Sequence, residues 1–252
     1  KQFCQHFLAP LALMAFTDIE LSKLMISHID GVPLPLASKL LPVKTRLNYS
    51  LATHIHLHAK MQQQHSDAAV KKTAKGFKSV SLSEQGLRAM MEALASAVQK
   101  LKWKMPETEW GDYYANTNYS GRAGDEKRAL VDSFLKDIPD SLAIIQDFGA
   151  NTGEFSRIAA KHCELVVSQD IDPVAVELNY RNINENGPTN ILPLIQDLGS
   201  PSPAIGWGNA ERSSFVERSH GDALLVLALV HHLAISNNVP LSNIAKLFSG
   251  MT

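Results

Sequence analysis

The stretch Ala143-Ile-Ile-Gln-Asp-Phe-Gly-Ala-Asn-Thr-Gly-Glu-Phe-Ser-Arg-Ile-Ala-Ala160, continued by Glu164-Leu-Val-Val-Ser-Gln-Asp-Ile-Asp172, decides how this chain folds. Ala143 to Ile145 is short, apolar and β-branched, as a strand is, and it runs into a turn built on Gly149 and Gly153. Phe155, Ile158 and Ala159 then recur at helical spacing. Strand, glycine loop and helix follow in that order. Glycines let the backbone turn tightly and let a ligand approach where a Cβ would stand, while the free N–H groups of the next helical turn face that ligand. A second apolar run, Leu165 to Val167, ends at Asp170, an acid at a strand end where it can accept hydrogen bonds from ribose hydroxyls. The stretch describes a nucleoside-cofactor site.

Spacing alone does not say which nucleoside, because a dinucleotide enzyme also carries a glycine loop followed by an acid. Here Asn151 stands where many such loops keep a middle glycine, and Asp147 and Glu154 flank the turn. Acidic neighbours suit a pyrophosphate poorly and suit a sulfonium cofactor with an amino-acid tail well. The string Asp-Phe-Gly-Ala-Asn-Thr-Gly153, with Gln169-Asp-Ile-Asp-Pro-Val-Ala-Val176 downstream, resembles motifs I and II of class I S-adenosylmethionine-dependent methyltransferases. That resemblance implies an α/β, Rossmann-like sheet.

Composition bounds the remaining possibilities. The 252 residues suffice for a sizeable core, and 45% apolar with 19% charged content is that of a globular protein. Lys plus Arg is 24 and Asp plus Glu is 25, so no overall field favours nucleic acid or an anionic membrane, and a small-molecule acceptor is the expected partner. Cys4 and Cys163 are the only cysteines, which excludes a disulfide framework and a cysteine-built zinc site and suits a reducing, cytoplasmic setting. The longest apolar run, Ala223 to Val230, is too short to span a membrane. With Lys1 first and no signal-peptide layout, the chain reads as a piece of a longer one.

The amino-terminal part reads as helical. Phe3, Phe7, Leu8, Leu11 and Met14 share a helical face, with Pro10 predicting a kink or two short helices. Thr17-Asp-Ile-Glu20 and Ser81-Leu-Ser-Glu84 read as capping boxes. The second opens a helix with an apolar face of Leu87, Met90, Met91, Leu94, Val98 and Leu101, its methionines filling the core, and Pro106 ends it. Leu36 to Leu41 is a further short helix. His54, His56, His58 and His65 would offer three ligands on one face of a strand, but Leu51, Ala52, Ala59 and Met61 favour a helix that turns His56 away from the others. No carboxylate or cysteine completes a metal spacing, so the structural reading outweighs a metal site. Lys71 to Lys78 reads as a solvated linker. Trp110 to Tyr119 is mixed aromatic and polar, and Glu126 to Ile138 is an amphipathic helix leading into the first strand. After the central stretch, Asp172-Pro173 opens a helix closed by Gly187, Ile191 to Ile195 is a third strand, Ser213 to Glu217 is short and helical, and Leu241 to Phe248 is the last helix. Asp222 to Ala228 lacks polar alternation, as a strand buried on both faces does, and is followed by His231 and His232.

Several strings resemble one group in particular, the methyltransferases related to the nodulation protein NoeA: Gln2 to Met14, Asp112 to Ser120, Gly149 to Ser156 and His231-His-Leu-Ala-Ile-Ser-Asn-Asn-Val-Pro-Leu241. The resemblance implies S-adenosyl-L-methionine as cofactor. It places Gly149, Asn151 and Gly153 at the methionine end, Asp170 at the ribose and Asp197 at the adenine, with Asp147, Ala150, Ile171, Leu198 and Ala228 as further cofactor contacts. Tyr114, Tyr119 and Lys127, from the segment that often covers the cofactor in such enzymes, are candidate contacts as well. Strand-end topology puts His231 and His232 beside the site as candidate bases. The expected organisation is a helical accessory region, 1–105, and a methyltransferase domain, 106–252. The class I sheet has more strands than the four read here, so missing sequence or a partner is expected to cover the open edge after the fourth. Two rival functions fit the same pattern: a catalytically silent cofactor-binding or interaction module, and an NAD(P)-dependent oxidoreductase.

Overall fold

The computed structural model describes residues 1–69, 83–106, 121–138 and 141–252. The predicted linker at Lys71 to Lys78, the Ser81 end of the second capping box, and the Trp110 to Tyr119 segment with Tyr114 and Tyr119 lie outside the described residues. The chain divides into two compact units, Lys1–Lys104 and Met105–Thr252.

In the first unit the described elements are helical. A π-helical turn, Cys4–Leu8, runs without a break into α1, Ala9–Phe16. Pro10, the expected site of a kink or a break into two short helices, falls in the first turn of α1 directly after the π-helical turn, and the Gln5 carbonyl preceding it accepts from the Val32 N–H at 2.9 Å. The following turn is capped by Asp18, whose Oδ1 accepts from the Glu20 N–H at 2.8 Å, and not by Thr17, whose hydroxyl donates to the Leu40 carbonyl. Then come α2 (Leu24–Ser27), α3 (Leu34–Leu40), α4 (Tyr49–Leu51), a second π turn (Ala52–Leu57), α5 (His58–Ala69) and α6 (Glu84–Gln99). Gly31, at φ +80°, lets the chain double back against the first helix: a Cβ there would lie 2.6 Å from the Gln5 carbonyl carbon. The buried core joins Leu8, Leu13, Leu34, Ile55 and Leu94.

Three expectations for α6 fail. Its cap is Ser83, whose Oγ accepts from the Gly86 N–H, and the buried positions are Leu94 and Ala97, while Leu87, Met90 and Met91 are exposed. The helix also ends at Lys100, before Pro106. The histidines lie on helix, as the flanking residues implied. His56 is fixed between Ser38, whose Oγ lies 2.8 Å from Nδ1, and Thr45, whose Oγ1 lies 2.9 Å from Nε2. Among the described residues no cluster could hold a metal.

In the second unit, α7 (Gly121–Lys136) precedes a sheet of β1 (Leu142–Phe148), β2 (Cys163–Asp170), β3 (Ile191–Ile195) and β4 (Ala223–Val226). The strands are parallel in the order β3-β2-β1-β4. Parallel neighbours need crossovers, and helices supply them: α8 (Glu154–Ala159) after β1 and α9 (Pro173–Asn186) after β2. Asp172 caps α9 by accepting from the Val174 N–H at 2.8 Å. A four-residue helix, α10 (Phe215–Arg218), opens on a Ser214/Glu217 capping box, and α11 (Leu241–Ser249) closes the unit.

Register sorts side chains to the two faces. Asp147 pairs with Ser168 and Leu225, so all three share a face, which packs Ile145 and Val166 against Val131, Leu135 and Ile158. Phe148 pairs with Gln169 and Val226 on the other face, where it meets Phe215, Phe248 and Met251. β4 is shorter than expected, and its four residues are only partly buried because it forms one edge of the described sheet. On α7, Val131 and Leu135 are buried and Leu130 and Phe134 are exposed.

Candidate functional site

The site grows from the carboxyl end of β1. Gly149, Asn151 and Gly153 all take positive φ, +72°, +51° and +77°. The Gly149 and Ala150 N–H groups donate to the Gln169 carbonyl at 2.8 and 2.9 Å, and the Gly153 N–H donates to the Ala150 carbonyl at 2.9 Å. Asn151 occupies a conformation that glycine usually takes because its Oδ1 accepts from the Thr152 N–H at 2.8 Å, a local bond that offsets the strain. Its own N–H donates to Asp170 Oδ2 at 2.7 Å, tying the loop to the end of β2.

Asp170 Oδ1 accepts from the Asp172 N–H at 2.9 Å. Each carboxylate oxygen thus has a backbone donor and keeps a further lone pair for a hydroxyl. Burial pushes its pKa up, against the pull of those backbone donors. Asp147 is buried deeper, at 2% exposure, and accepts from Ser156 Oγ at 2.6 Å. Burial, with Asp170 nearby, raises its pKa from the ordinary 3.8 to about 6, although the Ser156 bond and Lys127 act the other way.

From α7, Lys127 holds Nζ 4.6 Å above the Phe155 ring. Arg128 beside it pairs with Glu154, the first residue of α8, and with Asp125 at 2.5 Å. On the far side, Asp197 Oδ1 accepts from the Gly199 N–H at 2.8 Å, and the Gln196 N–H donates to the Asp170 carbonyl. After β4, Ala228 turns at φ +56° and a π-helical turn, His232–Ser236, begins.

These elements enclose a cleft of about 520 Å³. Asp147, Gly149, Ala150, Asn151, Asp170, Ile171, Asp197, Leu198, Ala228 and Lys127 all line it, as does His232. Gly153 does not. It lies beneath the loop, with the Asn179 side chain filling the space where a Cβ would project. The histidine pair is divided: the rings sit 4.1 Å apart, but His231 is exposed and outside the cleft wall, because the turn starting there carries successive side chains in different directions. Sequence reasoning missed Arg128, Glu154, Gln196, Ser236 and Asn237, which also line the cleft. Glu154 was visible as an acid just past the loop; the others come together only through the fold.

The sheet order, with its glycine loop at the β1 end and acids at the ends of β2 and β3, is that of a Rossmann-like fold, with its crevice at the carboxyl ends of the strands. The chain is similar to the nodulation protein NoeA of Rhizobium meliloti (strain 1021), to which it is 34% identical over 247 residues. The match covers 97% of this chain, which spans about half, 51%, of that relative. No protein-family model matches. Among solved structures, a proposed RNA methyltransferase from Pyrococcus horikoshii is 28% identical over 43% of this chain and 52% of its own, at a TM-score of 0.28. The tRNA m1G37 methyltransferase of M. jannaschii is 19% identical over 52% and 41%, at 0.32.

Proposed function

We propose that the chain binds S-adenosyl-L-methionine and belongs to an enzyme that transfers its methyl group to a small-molecule acceptor. One observation carries the reading: a buried carboxylate, Asp147, lies against the glycine loop in the same cleft as Lys127. An acid there disfavours a pyrophosphate and matches an ammonium, and the lysine matches the carboxylate of the same amino-acid tail. Asp170 would take the ribose hydroxyls through its remaining lone pairs, and Asp197 the adenine amino group. The volume suits a ligand of that size, within the roughly 300–1,000 Å³ of small-molecule sites. Glu154 at the first turn of α8 weakens the dinucleotide alternative further, since it stands where a pyrophosphate would need donors.

Bound there, the cofactor supplies a methyl group activated by a sulfonium for in-line displacement. The chain's residues then have to hold the acceptor in near-attack geometry and exclude water. Leu229 and Leu233 give the His232 side of the cleft an apolar wall. His232 is placed to take a proton from a hydroxyl acceptor, and an amine acceptor would not need it. A small acceptor agrees with the balanced charge, net −1, which gives no field for a polyanion. Among the described residues no helix is long and apolar enough to cross a membrane, and both cysteines are free, which agrees with a cytoplasmic setting.

Equilibrium dialysis with methyl-labelled S-adenosylmethionine tests the reading. Retention competed by S-adenosylhomocysteine and not by NAD supports it, and the reverse order of competition would install the oxidoreductase. Retention without transfer to hydroxyl, amine or acidic-carbon acceptors would favour the silent binding module.

A further inference from the structure

A line of buried polar groups lies beneath the glycine loop. Asn179 of α9, Ser168 of β2, Ser156 of α8 and Asp147 of β1 are each at most 2% exposed. Asn179 Nδ2 lies 2.8 Å from Ser168 Oγ, Ser168 Oγ lies 2.8 Å from Ser156 Oγ, and Ser156 Oγ lies 2.6 Å from Asp147 Oδ2. Four elements thus meet in one hydrogen-bond path, on the face that register assigns to Asp147 and Ser168.

The path has a direction. An ionised carboxylate only accepts, so the single Ser156 proton goes to Asp147 and the Ser156–Ser168 bond is made by the Ser168 proton, while the Asn179 amide nitrogen donates to Ser168. Ser156, receiving that proton, sends its own to the carboxylate. Glycine at 153 is what admits the Asn179 amide over the loop: a Cβ there would lie 2.1 Å from Oδ1. The glycine loop and the orientation of the path are therefore one packing arrangement.

We propose that Asn179, Ser168 and Ser156 are positioning residues whose one-way hydrogen bonds hold the Asp147 carboxylate ionised in the cleft, and so set the lowest pH at which the chain takes a ligand bearing an ammonium group. The ligand half of this statement rests on the cofactor reading above; the relay itself does not. The other charges near Asp147 are Asp170 from β2, which opposes ionisation, and Lys127 from α7, which favours it. Arg128 and Glu154, also on the cleft wall, are paired with each other. The relay is thus the contribution that three buried groups add to one lysine against burial and a second acid.

The experiment has two arms on the whole chain. In the first, ¹³C NMR follows the Asp147 carboxyl through a pH titration without ligand. The wild-type midpoint is expected near 6, and Ser156→Ala should raise it by about one to two on the pH scale, the worth of a hydrogen bond to a charged group. Asn179→Ala should raise it less, and Ser156→Thr should restore it. In the second, calorimetric titration of S-adenosylhomocysteine at pH 6.5 should show Ser156→Ala binding roughly tenfold more weakly, with the gap closing to about twofold by pH 8. A loss that is equal at both pH values means a merely structural serine and overturns the proposal, as does an unmoved carboxyl midpoint in either alanine variant. If the wild type shows the carboxyl midpoint and takes no S-adenosylhomocysteine at any pH, the relay stands and the cofactor reading fails.

Discussion

Replacing Asp147 by Asn should stabilise the second unit while removing its capacity for ligand. Burial lifts this carboxyl from 3.8 to about 6. Above both values the acid is ionised whether folded or unfolded, and the folded chain carries the full cost, about 3 kcal/mol at 1.36 kcal/mol per tenfold change in acidity. Below 3.8 the group is protonated in both states and costs nothing. Asparagine stands in for the protonated acid and keeps an oxygen for the Ser156 proton. The gain should therefore be about 1–3 kcal/mol at pH 7.5, allowing for imperfect accommodation of the amide, and should vanish by about pH 4. Native-state hydrogen exchange of the β1 amides reads this unit alone, and their protection should rise roughly 5- to 160-fold at pH 7.5. S-adenosylhomocysteine binding should fall at least about tenfold in the same variant, because an amide does not neutralise an ammonium. Unchanged or lower protection at pH 7.5 would refute the account of Asp147 as a strained, functional acid.

Three further outcomes rest on the same geometry. Gly153→Ala combines a left-handed backbone, worth about 1–2 kcal/mol, with a Cβ driven into Asn179, worth about 1–3 kcal/mol more. Adding Asn179→Ala should recover the second part and not the first, which a double-mutant cycle by urea denaturation would show. In the first unit, burial as the largest cause lowers the affinity of His54, His56 and His58 for protons. The unfolded chain then binds more protons than the folded one as pH falls through and below 6.5, so this unit should lose stability in that range, and acid titration followed by exchange of α5 amides checks the sign. Thr45→Val, which deprives His56 of a buried partner, should cost about 1–3 kcal/mol, and a shift of less than half a kilocalorie in denaturant would show that the Ser38–His56–Thr45 path is not structural.

What could be read from sequence came from local rules. The glycine loop, the capping Asp172 with its following proline, and Ile191–Ile195 depend on turn chemistry and short apolar runs, and the fold reproduces them. The carboxylates of the cleft were legible because strand ends converge in a parallel sheet, so position along the chain gave position in space. The relay was not legible, yet it left a trace. The residues that α9 buries are Val174, Ala175 and Asn179, while its Tyr180 is exposed. A polar residue had taken a core position, and only the fold reveals Ser168 beneath it. The same limit explains the methionines of α6: a helical face can be read from spacing, but how much of it a neighbour covers cannot.

Calorimetric titration of S-adenosylhomocysteine into the folded chain at pH 7.5, with NAD as comparator, tests the central claim most directly. The account predicts one site of micromolar-range affinity, no heat with NAD, and a loss of at least about tenfold in Asp170→Ala, which removes the acceptor for the ribose hydroxyls. An absence of binding by the folded chain, or undiminished binding by Asp170→Ala, would contradict it.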